Sequence, residues 1–354
     1  MKILILTRYD SLGASSRYRF YQYIPFLRQQ GYEITIQPLL TSNYINYLYH
    51  GKSLPFVEII TRYFKRVFLL LRKNNYQLIW LQQEAFPWIP SWFEKILVKS
   101  NIPLIVDYDD ASFHRYDRHE NSFVKFLLKN KIDDVMSYAD VVLAGNRYLS
   151  DRAYVNKCKS VTILPTVVDT DRYIYDFKPH SKLFTIGWIG SPPTAKYLYE
   201  IRSALKESYN EGGVKFVFIG TGELIMEGIS FEIMEWSEAN EVNDIQGFDV
   251  GIMPLINSDW EKGKCGFKLI QYMACAKPVI GSPIGINSEI INNGVNGFQA
   301  NSNEEWIKYL RILKGNPNLR KEMGLNGRKL VEEKYSLHVN APKLIQVFNN
   351  VLQS

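Results

Sequence analysis

Two lysines and a glutamine in the second half of the chain have the spacing expected at the start of a phosphate-binding helix. Lys264, Lys268 and Gln271 stand at positions i, i+4 and i+7, so a helix would present them on one face. Gly266 lies between the lysines, at the predicted turn. A helix N-terminus offers N–H groups and partial positive charge, which suit a phosphate or a diphosphate. A solvated amphipathic surface helix is the alternative interpretation.

Carboxylates follow one of the predicted strands in the first half. Asp107, Asp109 and Asp110 lie where this strand ends, and His114 comes shortly after them. Clustered carboxylates repel one another, so a structural role alone explains them poorly. Asp109 and Asp110 are therefore the predicted catalytic residues, which would orient an acceptor, act as a base or stabilise positive charge. His114 is a predicted acceptor-binding residue or an ordinary loop histidine. No set of metal ligands stands at a recognisable spacing, so no metal is expected.

Two more strand ends in the first half carry polar residues. Gly13 supplies a flexible turn after the first strand, and Arg17 falls in the first turn of the helix that follows, where an anion could bind. A capped helix with solvated arginines is the alternative. Glu84 follows another predicted strand. Gly13, Arg17 and Glu84 are the remaining predicted acceptor-binding residues.

The second half begins with a similar strand end. Gly190 and Ser191 close a predicted strand, two prolines follow, and Thr194 lies at a predicted helix start that could also receive an anion. Trp236 follows a later strand, where a nucleobase could meet the backbone, although packing is the simpler role for its ring. These four residues join Lys264, Gly266, Lys268 and Gln271 as candidates for binding a nucleotide through its phosphates and its base.

The elements that must position these residues alternate between β-type runs and helical patterns, which predicts parallel βα units. Two doubly wound sheets are predicted, with a crossover near residues 167–169. The predicted strands are residues 2–7, 33–38, 78–83, 103–108, 141–145, 161–166, 184–190, 215–220, 231–236, 249–254 and 278–282. The main helical stretches predicted in the first half are residues 15–30, 56–73 and 122–137. Ligands of such sheets bind at the carboxyl ends of strands.

Composition limits the class of protein. The chain has 354 residues, 46% of them hydrophobic and 22% charged, which indicates a globular protein of two domains. The net charge of +6 is mild, and no nucleic acid partner is predicted. Three cysteines without metal-ligand spacing fit a reducing compartment, and no apolar run reaches the roughly 18 to 20 residues of a membrane span. A cytoplasmic location is therefore predicted.

One segment concentrates positive charge. Residues 61–76 place five basic side chains around an apolar centre. A basic amphipathic helix can lie on an anionic membrane surface. Peripheral contact with the cytoplasmic face of the membrane is therefore a second prediction, and a domain helix with one buried face is the alternative. The five basic residues are Arg62, Lys65, Arg66, Arg72 and Lys73.

An ordered set of strings along nearly the whole chain resembles GT-B glycosyltransferases of family GT4, in particular a bacterial subgroup. The strings are LIWLQQEAFP, IVDYDDASF, VVLAGNRYL, ILPTVVDTDRY, GWIGSPPTAKYL, FDVGIMPL, GKCGFKLIQYMACAKPVI and NNGVNGF. The resemblance implies two Rossmann-like domains facing each other across a cleft. Residues 1–166, joined by a C-terminal helix at 337–354, would form the acceptor domain, and residues 167–336 the donor domain.

The resemblance also implies an activity, and it assigns the candidate residues of the first half to an acceptor and those of the second half to a nucleotide sugar. It predicts metal-independent, retaining transfer of a sugar from a nucleotide-sugar co-substrate to a glycan or a lipid-linked acceptor, in the synthesis of bacterial surface polysaccharides. No other cofactor is expected. The chain departs from the family at two positions, because Gly263 and Gln271 stand where most members carry a pair of glutamates. Asp259, Glu261 or Lys264 would then have to supply the contacts to the sugar.

Two alternatives stay open, and the first of them follows from that departure. The chain could be a non-catalytic carbohydrate- or nucleotide-binding protein on a decayed GT-B scaffold. It could also be a GT-B nucleotide-sugar epimerase, which would convert the nucleotide sugar without an acceptor. The two lysines that suit a phosphate favour an enzyme over decay.

Overall fold

The computed structural model describes residues 1–49, 53–98, 102–176 and 183–353. They form two compact units. The first comprises residues 1–166, 263–265 and 340–354, and the second comprises residues 167–262 and 266–339. Within the described ranges, no helix is both long enough and apolar enough to cross a membrane.

Among the described residues, six parallel strands form the sheet of the first unit. They are β1 (Lys2–Tyr9), β2 (Glu33–Leu40), β3 (Leu78–Gln82), β4 (Leu104–Tyr108), β5 (Val141–Ala144) and β6 (Val161–Ile163). Their order is β2-β1-β3-β4-β5-β6, so the strand order reverses between β1 and β3. Every residue of β3, β4 and β5 is buried, as expected of central strands covered on both faces. The point of reversal is where ligands bind in open sheets of this kind.

Helices connect these strands. They are α1 (Ala14–Arg19), α2 (Ile24–Gln29), α3 (Ser42–Tyr49), α4 (Phe56–Leu71), α5 (Ser91–Glu94), α6 (His114–Asp117), α7 (Ser122–Leu128), α8 (Lys131–Tyr138) and α9 (Arg147–Val155), with 3₁₀ turns at Tyr21–Tyr23 and Lys73–Asn75. The single helix predicted over residues 15–30 is divided into three segments. Pro25 at the start of α2 explains part of the division, because proline has no N–H with which to continue an earlier helix.

In the described part of the second unit, six strands likewise form a parallel sheet. They are β7 (Phe184–Ile189), β8 (Val214–Ile219), β9 (Glu232–Met234), β10 (Val250–Met253), β11 (Val279–Gly281) and β12 (Gly297–Gln299). Their order is β12-β11-β10-β7-β8-β9, with the reversal between β7 and β10. Two doubly wound parallel sheets are therefore confirmed. The sequence analysis did not predict β12, a strand of three residues flanked by turn-forming residues.

The helices of the second half follow the same alternation. They are α10 (Pro192–Ala195), α11 (Arg202–Asn210), α12 (Glu241–Gln246), α13 (Asp259–Lys262), α14 (Phe267–Ala274), α15 (Asn287–Ile290), α16 (Asn303–Gly315), α17 (Pro317–Leu330) and α18 (Leu337–Gln353), with a 3₁₀ turn at Lys196–Ile201 and a π-helical turn at Val331–Tyr335. Most of α18 belongs to the first unit.

Aromatic packing joins α18 to the first sheet. Trp80 of β3 is fully buried, and its ring centroid lies 4.3 Å from that of Phe20 and 5.3 Å from that of Phe348 of α18. Tyr32 contacts α18 as well, because its hydroxyl donates a hydrogen bond to the side-chain oxygen of Asn349 over 2.6 Å. Large buried rings contribute more apolar area than other side chains. The C-terminal helix is therefore part of the core of the first unit.

Candidate functional site

Polar side chains from three strand ends meet at the carboxyl edge of the first sheet. Ser15, which follows β1, donates a hydrogen bond to Asp109, and Gln82 at the end of β3 donates to the Ser15 hydroxyl over 2.7 Å. Gln83 donates to the other carboxylate oxygen of Asp109 over 3.1 Å. Ser16 in turn donates to Gln82 over 2.7 Å. Asp109 is thus held by two donors at the point where the strand order reverses.

Gln83 adopts a backbone conformation that is uncommon for a residue other than glycine. Its φ is +59°, in the left-handed region. The fold fixes this conformation, because the Gln83 N–H donates to Asp107 over 3.0 Å and its carbonyl accepts from the Tyr108 hydroxyl over 2.9 Å. The Gln83 side-chain oxygen is buried and has no hydrogen-bond partner among the described residues. Strained residues held in this way cluster at functional sites.

Asp110 lies beside Asp109, and its side chain is half-buried. One carboxylate oxygen accepts from the N–H of Ala111 over 3.0 Å. Burial raises the pKa of Asp110 above its ordinary value, as does the charge of Asp109, while the positive charges of Lys264 and Arg115 oppose the rise. The charge of Lys264 therefore favours the ionised form of the Asp110 carboxyl, and both residues belong to the first unit.

Asp107 has a structural partner that the sequence analysis missed. It forms a bidentate ion pair with Arg19, with nitrogen–oxygen distances of 2.8 and 3.0 Å, and both side chains are buried. Arg19 also donates to the carbonyl of Leu164 over 2.7 Å. The charge of Asp107 is therefore balanced inside the fold. Asp109 and Asp110 are the two carboxylates at this strand end that remain available for chemistry.

Glu84 lies in a buried cluster of charges. Both of its carboxylate oxygens accept from the Tyr116 hydroxyl, over 2.9 and 2.8 Å, and Lys131 lies 3.0 Å away. Its neighbour Glu94 is also fully buried and accepts from backbone N–H groups. Only 2% of Glu84 is exposed, so the carboxylate faces protein groups. Its predicted role at the acceptor stays a prediction.

The other acceptor-side predictions fall on residues that the fold engages. The two ring nitrogens of His114 lie 2.8 Å from Asp117 and 2.8 Å from the Tyr148 hydroxyl. Arg17 is buried and donates to the carbonyls of Ser11 and Leu12, over 3.1 and 3.3 Å. A solvated arginine at this position is thereby excluded.

Gly13 precedes α1 at the end of the loop that Arg17 orders. A β-carbon at Gly13 would lie 2.4 Å from that of Tyr9. Glycine is therefore required there by close packing. With Arg17, it fixes the path of the chain from β1 into α1, whose first turn carries Ser15.

At the carboxyl edge of the second sheet, glycines bring the backbone close. A β-carbon at Gly190 would lie 2.3 Å from the Trp188 ring, and one at Gly220, where φ is +73°, would lie 2.5 Å from the Gly190 carbonyl. Thr194 donates from its hydroxyl to the Ser191 carbonyl over 2.9 Å and accepts from the Ser191 N–H over 3.1 Å. Ser191 and Thr194 thus cap each other, and α10 opens with two prolines, which have no N–H groups.

The prediction that Lys264 shares a helix face with Lys268 and Gln271 is wrong. Helix α14 begins at Phe267, after Gly266 in the left-handed conformation with φ of +65°, so Lys264 precedes the helix. Lys268 lies in the first turn of α14, and its ammonium lies 5.2 Å from the centroid of the buried Trp188 ring. A β-carbon at Gly266 would lie 2.4 Å from the side chain of Ile290. This geometry places Lys268, but not Lys264, at the helix start and beside the end of β7.

Gln271 belongs to a chain of buried hydrogen bonds. Its amide nitrogen donates to the Tyr173 hydroxyl over 2.8 Å, and Tyr173 donates to Glu241. Trp236 donates from its indole nitrogen to the other oxygen of Glu241 over 2.8 Å. Gln271 and Trp236, which are 35 positions apart in sequence, are therefore linked through Tyr173 and Glu241. No sequence motif predicted this link, although Glu241 is a buried acidic residue at a helix start.

The position of the first missing glutamate has no room for a side chain. A β-carbon at Gly263 would lie 2.5 Å from that of Ala111 and 2.7 Å from its backbone nitrogen, and the Gly263 carbonyl accepts from Asn146 over 3.0 Å. Glu261 is buried and accepts from the Tyr197 and Ser258 hydroxyls, while Asp259 pairs with Lys262 over 2.8 Å. The absence of a glutamate at 263 is thus a steric consequence of close packing.

In the basic segment at residues 61–76, two of the five basic side chains are buried, whereas the prediction placed all five at the surface of the helix. Arg66 is fully buried and donates to the carbonyls of Thr7 and Gln37, over 2.6 and 2.7 Å. Lys73 is also buried and donates to backbone carbonyls. These two cations therefore serve the fold. The exposed side of α4 is largely apolar, since Phe68 and Leu71 are exposed there.

A metal site is not assigned. Of the described residues, Asp169, Asp171 and His338 bring three potential ligand atoms within 4.8 Å of one another. The contact between His338 and Asp171, at 3.0 Å, is an exposed pair that needs no ion.

Parts of this chain match a known protein family and a curated relative. Residues 181–314 match the family model described as glycosyl transferases group 1. A protein of Methanocaldococcus jannaschii described as the uncharacterized glycosyltransferase MJ1069 is 28% identical over 99 residues, which is 27% of this chain and 25% of that relative. The alignment thus spans about a quarter of the curated relative.

Similar solved structures cover the entire chain or nearly so. Sucrose-phosphate synthase from Thermosynechococcus elongatus superposes with a TM-score of 0.73 at 12% identity, over 100% of this chain and 99% of that one. A glycosyltransferase from Rickettsia africae gives 0.70 at 17% identity, over 100% and 99%. The Anabaena protein Alr3699/HepE, solved with UDP-glucose, gives 0.69 at 12% identity, over 99% and 100%. These likenesses establish the GT-B fold.

Proposed function

From the premise that the chain is a group 1 glycosyltransferase with the GT-B fold, we propose that it transfers a sugar from a uridine diphosphate sugar to an acceptor hydroxyl. The observation that carries the proposal is the family match over residues 181–314, which contain Lys268 and the glycine-led start of α14. The Anabaena neighbour was solved with UDP and with UDP-glucose, which supports uridine as the first nucleotide to test.

The second unit would bind the donor. The ammonium of Lys268 and the start of α14 would hold the diphosphate, since cations and helix N-termini stabilise phosphate charge. Fixed positive charge there would stabilise the leaving nucleoside diphosphate without a divalent metal. Gln271 would accept hydrogen bonds from ribose hydroxyls through its amide oxygen, because its amide nitrogen is already held by Tyr173.

The first unit would bind the acceptor. Asp109, held by Ser15 and Gln83, would orient the acceptor hydroxyl, and Asp110 would stabilise positive charge that develops on the sugar. We propose retention of configuration, in which the acceptor attacks from the face of the leaving group and a phosphate oxygen takes its proton. A strong protein base is then unnecessary. The acceptor would be a glycan or a lipid-linked sugar of a bacterial surface polysaccharide.

Ligand binding and product release test this function together. Ligands that bind the native state raise the apparent melting temperature. We expect UDP and one UDP-sugar to stabilise the protein more than guanosine or cytidine diphosphates do. We also expect that UDP-sugar to release UDP faster when an acceptor is added. Lack of stabilisation by any nucleotide or nucleotide sugar would contradict the proposal. Conversion of the sugar without an acceptor would identify an epimerase, and binding without turnover a non-catalytic scaffold.

We further propose that the enzyme acts at the cytoplasmic face of a membrane, with α4 as the contact. Phe56 and Phe64 are each 70% exposed, and Phe68 and Leu71 continue the apolar side. Lys65 is exposed on the same helix, as is Arg72 directly after it. Exposed aromatic rings with basic neighbours are typical of helices that lie on anionic lipid.

Liposome co-sedimentation tests this contact. We expect binding to anionic vesicles that weakens with salt, because salt screens the attraction between charges. A Phe64→Ser, Phe68→Ser double variant should lose binding, whereas Tyr154→Ser, at an exposed tyrosine of α9, should not. Arg66 is unsuitable for this test because its removal would disturb the core. Equal recovery with neutral and anionic vesicles would indicate an enzyme without a membrane contact.

A further inference from the structure

Two arginines of the first unit converge on one oxygen of Glu84 without completing hydrogen bonds. The Nη1 atoms of Arg8 and Arg115 lie 3.5 and 3.7 Å from the same carboxylate oxygen, Oε1. Both distances exceed the 2.7 to 2.9 Å that are typical of charge-assisted hydrogen bonds. Tyr116 and Lys131 already satisfy Glu84, at 2.8 to 3.0 Å. The two guanidinium groups are therefore held side by side but are not needed as hydrogen-bond donors to Glu84.

Each of these arginines has one guanidinium nitrogen whose donors are not used by the described residues. Both Nη1 atoms are buried and have no hydrogen-bond partner in the described part of the chain. Among the described residues, the Arg8 side chain donates only to the Tyr9 hydroxyl, over 3.2 Å, and Nη1 of Arg115 donates to none. A guanidinium group has five N–H donors, and leaving buried donors unsatisfied is costly. A bound acceptor group would satisfy them.

The position of the pair indicates which ligand would reach it. Arg8 lies near the carboxyl end of β1, and Arg115 follows β4, on the edge that carries Asp109 and Asp110. The positive charge of Arg115 opposes the rise in the pKa of Asp110 that burial causes. The side chains of Arg8 and Arg115 are 13% and 26% exposed, so part of each side chain reaches solvent beside the buried Nη1 atoms. A ligand at the pair would thus adjoin the residues proposed for the acceptor.

Tyr44 of α3 adds a hydroxyl to this surface. Burial raises the pKa of Tyr44, and the positive charges of Arg8 and Arg115 act against that rise. Its ring also packs on Tyr9, with the centroids 6.3 Å apart. A phenol beside two guanidinium groups offers one more donor to an anion.

We propose that Arg8 and Arg115 form a subsite for a phosphate or diphosphate ester carried by the acceptor. One guanidinium fork satisfies a carboxylate, which has two oxygens, whereas two forks match the three free oxygens of a phosphate monoester. Glu84 keeps the two cations together by offsetting their repulsion. This inference rests on the proposed function only where it assigns the phosphate to an acceptor. The anion site itself is formed by residues of the first unit alone.

Calorimetric titration with inorganic pyrophosphate, glucose 1-phosphate and geranyl diphosphate tests the subsite. The titrations are made in Lys268→Ala protein, so that the donor-side cation does not contribute. We expect Arg115→Gln to weaken phosphate binding about 10- to 100-fold, the effect of losing a charge-assisted contact. Arg147→Gln should leave it unchanged, since Arg147 is 81% exposed and lies on another helix. Tighter binding of geranyl diphosphate than of glucose 1-phosphate would indicate a lipid-linked acceptor, and the reverse a soluble one.

Three results would overturn the subsite: equal affinity in the parent and Arg115→Gln proteins, no phosphate binding by the parent, or tighter binding of glucuronate than of any phosphate. Arg115→Lys guards against a folding artefact, because it keeps the charge but loses the fork and should bind more weakly than the parent with an unchanged melting temperature. UDP titration of the unmodified protein separates the two proposals. If UDP fails to bind while Arg115 matters for pyrophosphate, the donor assignment fails and the anion site stands.

Discussion

The carboxyl edges of the two sheets are built by opposite means. At the first edge, side chains hold side chains: Ser15 and Gln83 fix Asp109, Arg19 neutralises Asp107, and Tyr116 and Lys131 hold Glu84. At the second edge, glycines bring the backbone close, and Lys268 rests on an aromatic ring. A charge that develops in a transition state is stabilised best by side chains that are fixed in advance. A diphosphate is bound by backbone N–H groups that can approach it closely and by a cation.

The comparison predicts the largest effect at the first edge. Asp110→Asn should lower the rate of sugar transfer by roughly 10²- to 10³-fold, the usual loss when a group that stabilises charge is removed from an active site. UDP affinity should change little, because the residue belongs to the acceptor side. Turnover and nucleotide binding are measured on one preparation, with the exposed Asp151→Asn as control. A parallel fall in both quantities would assign Asp110 to the fold or to the donor pocket.

The second edge should show the reverse pattern. Lys268→Ala should weaken UDP binding by about 1.5 to 3 kcal/mol, or 10- to 100-fold in dissociation constant, because a charge-assisted phosphate contact is lost. Titration calorimetry measures the affinity, and thermal melting checks the fold. Lys196→Ala is a matched control, since Lys196 also lies over an aromatic ring, that of Tyr197, at 5.4 Å. Unchanged affinity in folded Lys268→Ala protein would remove this lysine from the site.

Packing, rather than chemistry, decides the third prediction. Gly263→Ala should lower the free energy of unfolding by about 1 to 3 kcal/mol, because its β-carbon would overlap the backbone of Ala111. Gly315→Ala is the control, since no described residue beyond its chain neighbours and its own helix backbone lies within 4 Å of a β-carbon there. Gly263→Glu, which restores the glutamate of the wider family, should destabilise further and should not raise activity. A stable and more active Gly263→Glu protein would show that the close packing at this position yields.

The strands were predictable because their evidence is local. Central strands such as β3 and β4 begin with apolar runs, LIWL and LIV, and the sequence also places Asp109 and Asp110 at a strand end. Burial of Arg66 was not predictable, because an amphipathic pattern assigns arginine to solvent. Its partners are carbonyls of distant strands. The left-handed backbone of Gln83 depends likewise on Tyr108, which belongs to the neighbouring strand.

The smallest effect concerns the electrostatic link between Lys264 and Asp110. Burial raises the pKa of the Asp110 carboxyl and Lys264 opposes that rise, so removing the cation should raise this pKa further. Because the proposed mechanism needs the ionised carboxylate, activity falls as pH drops through this pKa. In Lys264→Met the acidic limb of the pH–rate profile should therefore move to higher pH, whereas in Lys268→Met it should stay in place. If Lys264 served only the diphosphate, UDP affinity would fall in Lys264→Met and the acidic limb would not move.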